Sequence, residues 1–397
     1  MSGSTRRGGA LTGARLALYV QHLLGIGHLR RAAALARATV AAGAEVLVLS
    51  GGRPVPGIDF GAARLVQLPA AVTADSSFSH LLDAEGRPVD DAWRDSRRAA
   101  LLAAVSAFRP DILLLEMFPF GRRPFRFELL PLLEWAAGQR PRPLVASSVR
   151  DILIDKGKPG RAEEIAQLVR QYFDLVLVHG DPALVPFGET FPAAASIADR
   201  LQYTGYVVEV PALPPADRSL GEVLVSAGGG AVGGPLLRAA LAARAVSNLK
   251  DRPWRFIAGD NLPAADFAVL EQAAAQDPGI ILERYRPDFT RLLASCHVSF
   301  SQAGYNTVME ILALRTPAVV VPFAEGKESE QRQRARLLAA RGALDCLEPP
   351  AGGAELDPGE IAARLERRAR LGAPALTVAL DGAARSAAIL AKAWRHD

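Results

Sequence analysis

Cysteine is scarce, with only Cys296 and Cys346 in the chain. Two thiols make neither a disulfide framework nor a zinc cluster, and a reducing cytoplasm is the compartment this usage fits. An excess of one charge is also lacking: 46 Lys and Arg against 42 Asp and Glu leave a net +4. So mild a balance argues against nucleic acid as a partner, while local patches remain suited to phosphate groups or an anionic membrane surface. Long apolar runs are missing as well. No uncharged stretch reaches the roughly 18 residues that a membrane-spanning helix needs. The start, MSGSTRRGGALTGARLALYVQHLLGIG, imitates an export signal. Gln21 and His22 interrupt it, no A-x-A-like cleavage site follows, and the run alternates like a strand, so export is not expected.

What the sequence does have is apolar residues, 50% of 397 positions. That suffices for two domains of the usual roughly 100–200 residues, each with its own core. RLALYVQ (15–21) reads as a buried strand, LLGIGH as a loop, and LRRAAALARATVAAG as a helix closed by Gly43 at its C′ position. AEVLVLSGG supplies the next strand and completes a βαβ unit. Further apolar strands lie in 109–121, 142–152 and 172–182. Strands alternating with Ala-rich helices mean a parallel, doubly wound sheet. Prolines and a polarity change across VVEVPALPPADRSLG (207–221) mark a linker, and the pattern restarts at EVLVSAGGGAVGG (222–234). The expected fold class is therefore α/β, with two Rossmann-like doubly wound parallel-sheet domains. Their spans are 1–208 and 222–380, joined by a linker over 209–221, with a terminal helix over 381–397 able to pack back on the first domain.

Two stretches of the second domain carry chemistry. In SAGGGAVGG (226–234), Gly228, Gly229 and Gly230 follow a strand and precede a helix. Glycines there let backbone approach a ligand, and the helix N-terminus offers N–H groups to a phosphate; a merely tight turn explains them equally well. No Gly-Lys-Ser/Thr follows, so this is not a Walker loop. The second stretch, SQAGYNTVMEILALRTPAVVVPFAEGKESEQRQRA (301–335), is more specific. Gln302, Ala303, Gly304 and Thr307 form a second helix N-terminus able to hold a diphosphate. Glu310 stands three residues past Thr307 on the same helical face, where a carboxylate can accept from a ribose diol. Glu328, Glu330 and Gln331, beyond the next strand, suit sugar hydroxyls. Thr307 and Glu310 alone would also fit a helix cap and its partner; the assembled stretch does not.

The 301–335 stretch resembles the donor-binding signature of GT-B glycosyltransferases of the MurG type: a Ser-x-Ala-Gly turn, Thr, Glu three residues on, a strand ending Val-Pro-Phe, then an acidic or Gln pair. SAGGGAVGG is similar to that family's Gly-rich loop, and GIGH to its N-terminal Gly-rich turn with a histidine. The resemblance implies two domains facing a cleft, diphosphate contact at Gly228 to Gly230, Ala303, Gly304 and Thr307, ribose at Glu310, and donor-sugar hydroxyls at Glu330 and Gln331. It implies a UDP- or dTDP-type donor, UDP-N-acetylglucosamine among them, as co-substrate, with no metal and no other cofactor. The acceptor it implies is a carbohydrate, lipid-linked or small-molecule hydroxyl, on a cytoplasmic protein with room for peripheral contact at the inner membrane face. Gly25-Ile26-Gly27-His28 and Gly230 depart from the family's Gly-Thr-Gly-Gly-His and serine. GIGHLRR also looks like the Gly-x-Gly-His-x-x-Arg start of nucleotide-sugar hydrolases of the PseG type.

His28 lies at a strand's C-terminal end, where open α/β sheets place ligands, and a neutral imidazole suits the base that inverting transfer needs. One carboxylate, Asp151 or Glu116, is expected to orient it. Gly25 and Gly27 would turn the backbone, and Arg30 and Arg150 stand on the acceptor side, with Arg30 or Arg31 meeting an acidic acceptor. The run FPFGRRPFRF (118–127) reads as an acceptor loop or a solvated face. Three activities remain open: an inverting, metal-independent glycosyltransferase, a nucleotide-sugar hydrolase, and a non-catalytic nucleotide-sugar-binding protein.

Overall fold

The computed structural model describes residues 10–23, 26–73, 81–153, 159–208, 218, 221–229, 232–323, 330–350, 355–376 and 378–395. Gly25, Gly230, Glu328 and most of the expected linker lie outside these residues. The chain divides into two compact units, 1–208 together with 379–397, and 209–378.

In the first unit the chain runs through β1 (Arg15–Val20), α1 (Gly27–Ala41), β2 (Glu45–Ser50), β3 (Arg64–Gln67), a short antiparallel pair β4 (Val72–Thr73) and β5 (Leu81–Leu82), and α2 (Asp91–Phe108). It continues through β6 (Ile112–Glu116), α3 (Arg126–Gly138), β7 (Leu144–Arg150), α4 (Arg161–Tyr172), β8 (Leu175–His179) and β9 (Leu201–Tyr203). Seven strands pair in the order β3-β2-β1-β6-β7-β8-β9, all parallel. Strands covered on both faces must be apolar nearly throughout, and β1, β2 and β6 are buried at almost every position. Helix ends follow local chemistry. Asp90 caps α2 by accepting from the Trp93 N–H at 2.8 Å, and Gly43, at φ 99°, takes the left-handed position after α1.

The second unit holds β10 (Val223–Ser226), α5 (Gly234–Val246), β11 (Trp254–Ile257), α6 (Ala264–Gln276), β12 (Ile280–Glu283), α7 (Phe289–Ser295) and β13 (Val298–Gln302). Then come α8 (Tyr305–Leu314), β14 (Ala318–Val321), α9 (Glu330–Ala340), β15 (Asp345–Cys346) and α10 (Pro358–Leu371). Its six strands pair in the order β12-β11-β10-β13-β14-β15, again all parallel. The chain then returns. Tyr206 N–H bonds the Ala379 carbonyl at 2.7 Å, Val207 bridges Asp381, and α11 (Gly382–Trp394) buries Ala387, Leu390 and Ala391 in the core that contains Leu18 and Leu29 of the first unit.

In both sheets the winding reverses between two neighbouring strands, β1 and β6 in the first and β10 and β13 in the second. The loops leaving such a pair diverge to opposite faces, and the crevice between them is where open α/β sheets bind ligands.

Several features depart from the expectations. Strands β3, β9 and β15 were not expected; they are short edge strands, and β3 is largely exposed, so no apolar run marks them. The segment 118–127 is not a solvated face in its aromatic part. Phe118, Phe120 and Phe125 are buried, and Phe120 meets Phe187 and Phe191 edge-on at centroid distances of 5.5 and 5.2 Å.

Candidate functional site

At the switch point of the first sheet, β1 leads into the turn that starts α1, and His28 is the second residue of that helix. The N-cap of α1, Ile26, makes no side-chain cap bond. The neighbouring strand β6 ends in Glu116, which is completely buried. The two side chains meet there: His28 Nδ1 lies 2.7 Å from Glu116 Oε1, with the imidazole still 22% exposed. Arg31, one helical turn after His28, donates to the same oxygen, and Arg122 Nη2 donates to Oε2 at 3.3 Å. Arg122 comes from the loop after β6 and sits at φ 58°.

Glu116 fixes the tautomer. Burial alone would raise its pKa, yet His28, Arg31 and Arg122 overcome this and hold the carboxylate well below its usual range. A carboxylate only accepts, so Nδ1 must carry the proton, and Arg31 Nη2, 3.2 Å from that nitrogen, can serve Glu116 but not the ring. Nε2 is left with its lone pair. Burial lowers the His28 pKa to about 3, helped by Arg122 and Arg150 and opposed by Glu116. The imidazole is therefore neutral at physiological pH, the form that takes a proton.

The structure separates the two carboxylates considered for His28. Asp151 is also fully buried, but its carboxylate accepts from the Tyr206 hydroxyl at 2.9 Å and from the Ile152 N–H at 2.9 Å, while Glu116 is on the imidazole. Arg150 ends β7 and acts electrostatically on His28, so it belongs to this group. Gly27 opens α1. Arg30 is exposed on α1, and Arg31 meets the chain's own Glu116, so the expected choice of which arginine faces an acceptor changes.

The fully buried His179 is accounted for structurally. Thr204 donates its hydroxyl proton to the Gly205 carbonyl at 2.8 Å and so accepts from His179 Nδ1–H at 2.9 Å. His179 Nε2 then accepts from the Ser148 hydroxyl at 2.7 Å. Burial lowers the His179 pKa to about 3.

At the switch point of the second sheet, two βα turns leave β10 and β13 side by side. Gly228 sits at φ 61°, where a side chain would be strained, with open space around it; Gly229 accepts from Asn261 N–H at 3.2 Å. A Cβ on Gly233, the N-cap of α5, would lie 2.2 Å from the Ala227 Cβ, so glycine is needed for the helix to approach its strand. Helix α8 begins at Tyr305 after Gln302, Ala303 and Gly304, and its N-cap is Gly304. Neither glycine N-cap has a side chain with which to cap its helix. Thr307 and Glu310, both half-buried, lie inside α8, so the helix-cap explanation for them does not hold. Two neighbouring helix N-termini with glycine N-caps thus direct their partial positive charge to this end of the sheet, an arrangement that favours an anion.

Glu330 and Gln331 have intraprotein duties the sequence did not show. Glu330 is buried and accepts from Arg334 Nη1 at 2.9 Å, one turn along α9, and Arg334 lies 4.8 Å from the centre of the Tyr305 ring. Gln331 Oε1 accepts from the Phe323 N–H at 3.1 Å. Arg31, Arg122 and Arg334 were missed as partners. The i, i+3 spacing of His28 and Arg31 was the one local signal available. Among the described residues no group of three or more His, Cys, Asp or Glu is placed to hold a metal ion, and no helix is long and apolar enough to cross a membrane.

Residues 239–350 match the glycosyltransferase family 28 C-terminal domain. Two curated relatives carry the name UDP-N-acetylglucosamine–N-acetylmuramyl-(pentapeptide) pyrophosphoryl-undecaprenol N-acetylglucosamine transferase. The protein of Chlorobium luteolum is 31% identical over 111 residues, 27% of this chain and 30% of the relative; that of Chromobacterium violaceum is 31% identical over 192 residues, 43% and 52%. The chain thus matches about half or less of their length. Among solved structures, Acinetobacter baumannii MurG superposes with a TM-score of 0.59 at 14% identity, covering 96% of this chain and 99% of that one. The fold is that of the two-domain GT-B proteins. Within that class the chain resembles MurG, and the stretch that matches the glycosyltransferase family 28 C-terminal domain lies in its second unit.

Proposed function

We propose that the protein is a nucleotide-sugar-dependent glycosyltransferase that inverts the anomeric centre. Its donor is a UDP-sugar, with UDP-N-acetylglucosamine the first choice because the relatives' names specify it. The observation that carries the reading is the His28–Glu116 hydrogen bond at the switch point of the first sheet. In the proposed step the acceptor hydroxyl oxygen attacks C1 of the donor sugar while its proton passes to His28 Nε2. The bond from C1 to the diphosphate oxygen breaks, and that oxygen keeps the electron pair. Glu116 holds the imidazole in the accepting tautomer and stabilises the imidazolium that forms, the logic of a triad's third member. With an imidazole of low proton affinity, proton transfer has to accompany C–O bond formation rather than precede it.

The second unit takes the donor. The starts of α5 and α8, with Gly228, Gly229, Ala303 and Gly304, meet the diphosphate and its developing charge, so the step is proposed to run without a metal. Glu310 holds the ribose diol, and Glu330 and Gln331 hold sugar hydroxyls. The acceptor is a hydroxyl compound, and a lipid-linked one, as in the relatives' names, would place the protein at the inner face of the membrane. One observation favours a second reading: Arg31 of the Gly-x-Gly-His-x-x-Arg motif is buried on Glu116, and water could then replace the acceptor. Incubation with a panel of nucleotide sugars separates the two. Transfer predicts turnover only when acceptor extract is added, and hydrolysis predicts free sugar and nucleotide without it. His28→Ala should lower either turnover by roughly 10²–10⁴-fold with donor affinity unchanged; a retained rate removes the base assignment.

A further inference from the structure

The first sheet has a second concave site, at the end opposite His28 and Glu116. A cavity of about 670 Å³ opens where β1, β6, β7 and β8 begin, with the ends of α3 and α11 completing its wall. Four arginines line it, Arg15, Arg109, Arg140 and Arg142, with two half-buried indoles, Trp135 and Trp394. Two of the arginines are neutralised. Arg15 pairs with Asp111, Nε to Oδ2 at 3.6 Å, and Arg142 Nη1 bonds Asp174 at 2.9 Å. The other two are not: Arg140 Nη1 donates only to the main-chain carbonyls of Gln139 and Ala137, and Arg109 has no side-chain ion pair or hydrogen bond among the described residues.

The cavity therefore combines a local charge of about +2, two guanidinium forks suited to a phosphate, and two aromatic faces suited to a flat ring. Its volume lies within the range of roughly 300–1,000 Å³ that small-molecule sites occupy. A membrane surface fits less well, because the indoles line a concavity already walled by charged residues rather than standing out from an apolar patch. We propose that this cavity binds a phosphorylated small molecule bearing a planar heterocycle, a mononucleotide in class, at a place separate from the donor site on the other unit. Arg109 and Arg140 take the phosphate, and Trp135 and Trp394 take the ring.

The test uses AMP as probe on the full chain, read by tryptophan fluorescence and calorimetry. Saturable binding is expected, with the fluorescence change lost in Trp135→Phe/Trp394→Phe. Arg109→Gln/Arg140→Gln should weaken AMP at least tenfold with an unaltered melting curve, since both side chains are exposed. Glu310→Ala, on the other unit, should leave this affinity as it is. Ribose 5-phosphate should bind at least fivefold more weakly than AMP. Unchanged AMP affinity in the double arginine variant, equal affinity for the two phosphates, or arginine-dependent binding to phosphatidylglycerol vesicles without AMP binding would each overturn the proposal.

Discussion

The two units share a doubly wound parallel sheet and place their candidate residues at the same topological point, yet they fill it with opposite materials. In the first unit the point holds ionisable side chains, His28, Glu116, Arg31 and Arg122, three of them almost or fully buried, and the protonation equilibria of His28 and Glu116 are displaced. In the second it holds mainly backbone, with two glycine-bearing turns running into helices whose N-caps are glycines, and Glu310 inside one of them. A buried charge cluster sets a proton's position; a pair of helix ends offers a fixed partial positive charge that needs no proton at all. On the proposed reading one fold thus serves both halves of a transfer reaction, and each half should fail in its own way.

After His28→Ala, the largest expected effect is at Glu116. Glu116→Gln removes the charge that holds the tautomer and leaves Arg31 and Arg122 buried without it, so turnover should fall by roughly 10²-fold or more. Stability should fall too, by about 3–5 kcal/mol. Rate assays and melting curves read the two losses, and an active, fully stable variant would break the contrast between the units. Glu310→Ala should weaken UDP by roughly 1.5–3 kcal/mol without changing the pH dependence of the rate, as measured by calorimetry and pH profiles. Gly233→Ala forces a Cβ into Ala227 and should cost about 1–3 kcal/mol in stability, with UDP affinity falling as α5 is pushed from its strand.

The smallest effect is a matter of pH. His22, His28 and His179, all in the first unit, have pKa values held below the ordinary 6.5, chiefly by burial. As pH falls below about 6.5 the unfolded chain takes up protons that the folded unit refuses, so stability declines with falling pH. The lowered carboxylates of the second unit, Asp277 and Glu283 among them, begin to matter only nearer pH 4.5. Hydrogen exchange between pH 6.5 and 5 should therefore show protection weakening in the first unit first. Equal loss in both units would contradict this account.

The central strands were legible because a parallel strand covered on both faces has to be apolar along its length, as ILLLE and VLVS are. Edge strands such as RLVQ carry no such mark. His28 stood out through its glycines, but its partner could not be chosen from the sequence, which does not give the lateral order of strands. β6 lies beside β1 and β7 lies one strand further, a step of roughly 4.8 Å, and this places Glu116 rather than Asp151 on the imidazole. Arg122 reaches Glu116 through a left-handed turn, and Glu330 is held by Arg334; neither contact shows in an apolar pattern. In 118–127, Phe118, Phe120 and Phe125 belong to the core, which rules out the solvated face that the sequence allowed.

The return of α11 to the first unit has a consequence for synthesis on the ribosome. The core that holds Leu18 and Leu29 lacks Ala387, Leu390 and Ala391 until all of 209–378 has been translated. At roughly 5–20 residues per second, this leaves the face of α1 that α11 will cover waiting on the order of ten seconds or more. The unit that is made first is thus the one finished last, and a nascent chain stalled before Gly382 exposes an apolar seam that chaperones can engage.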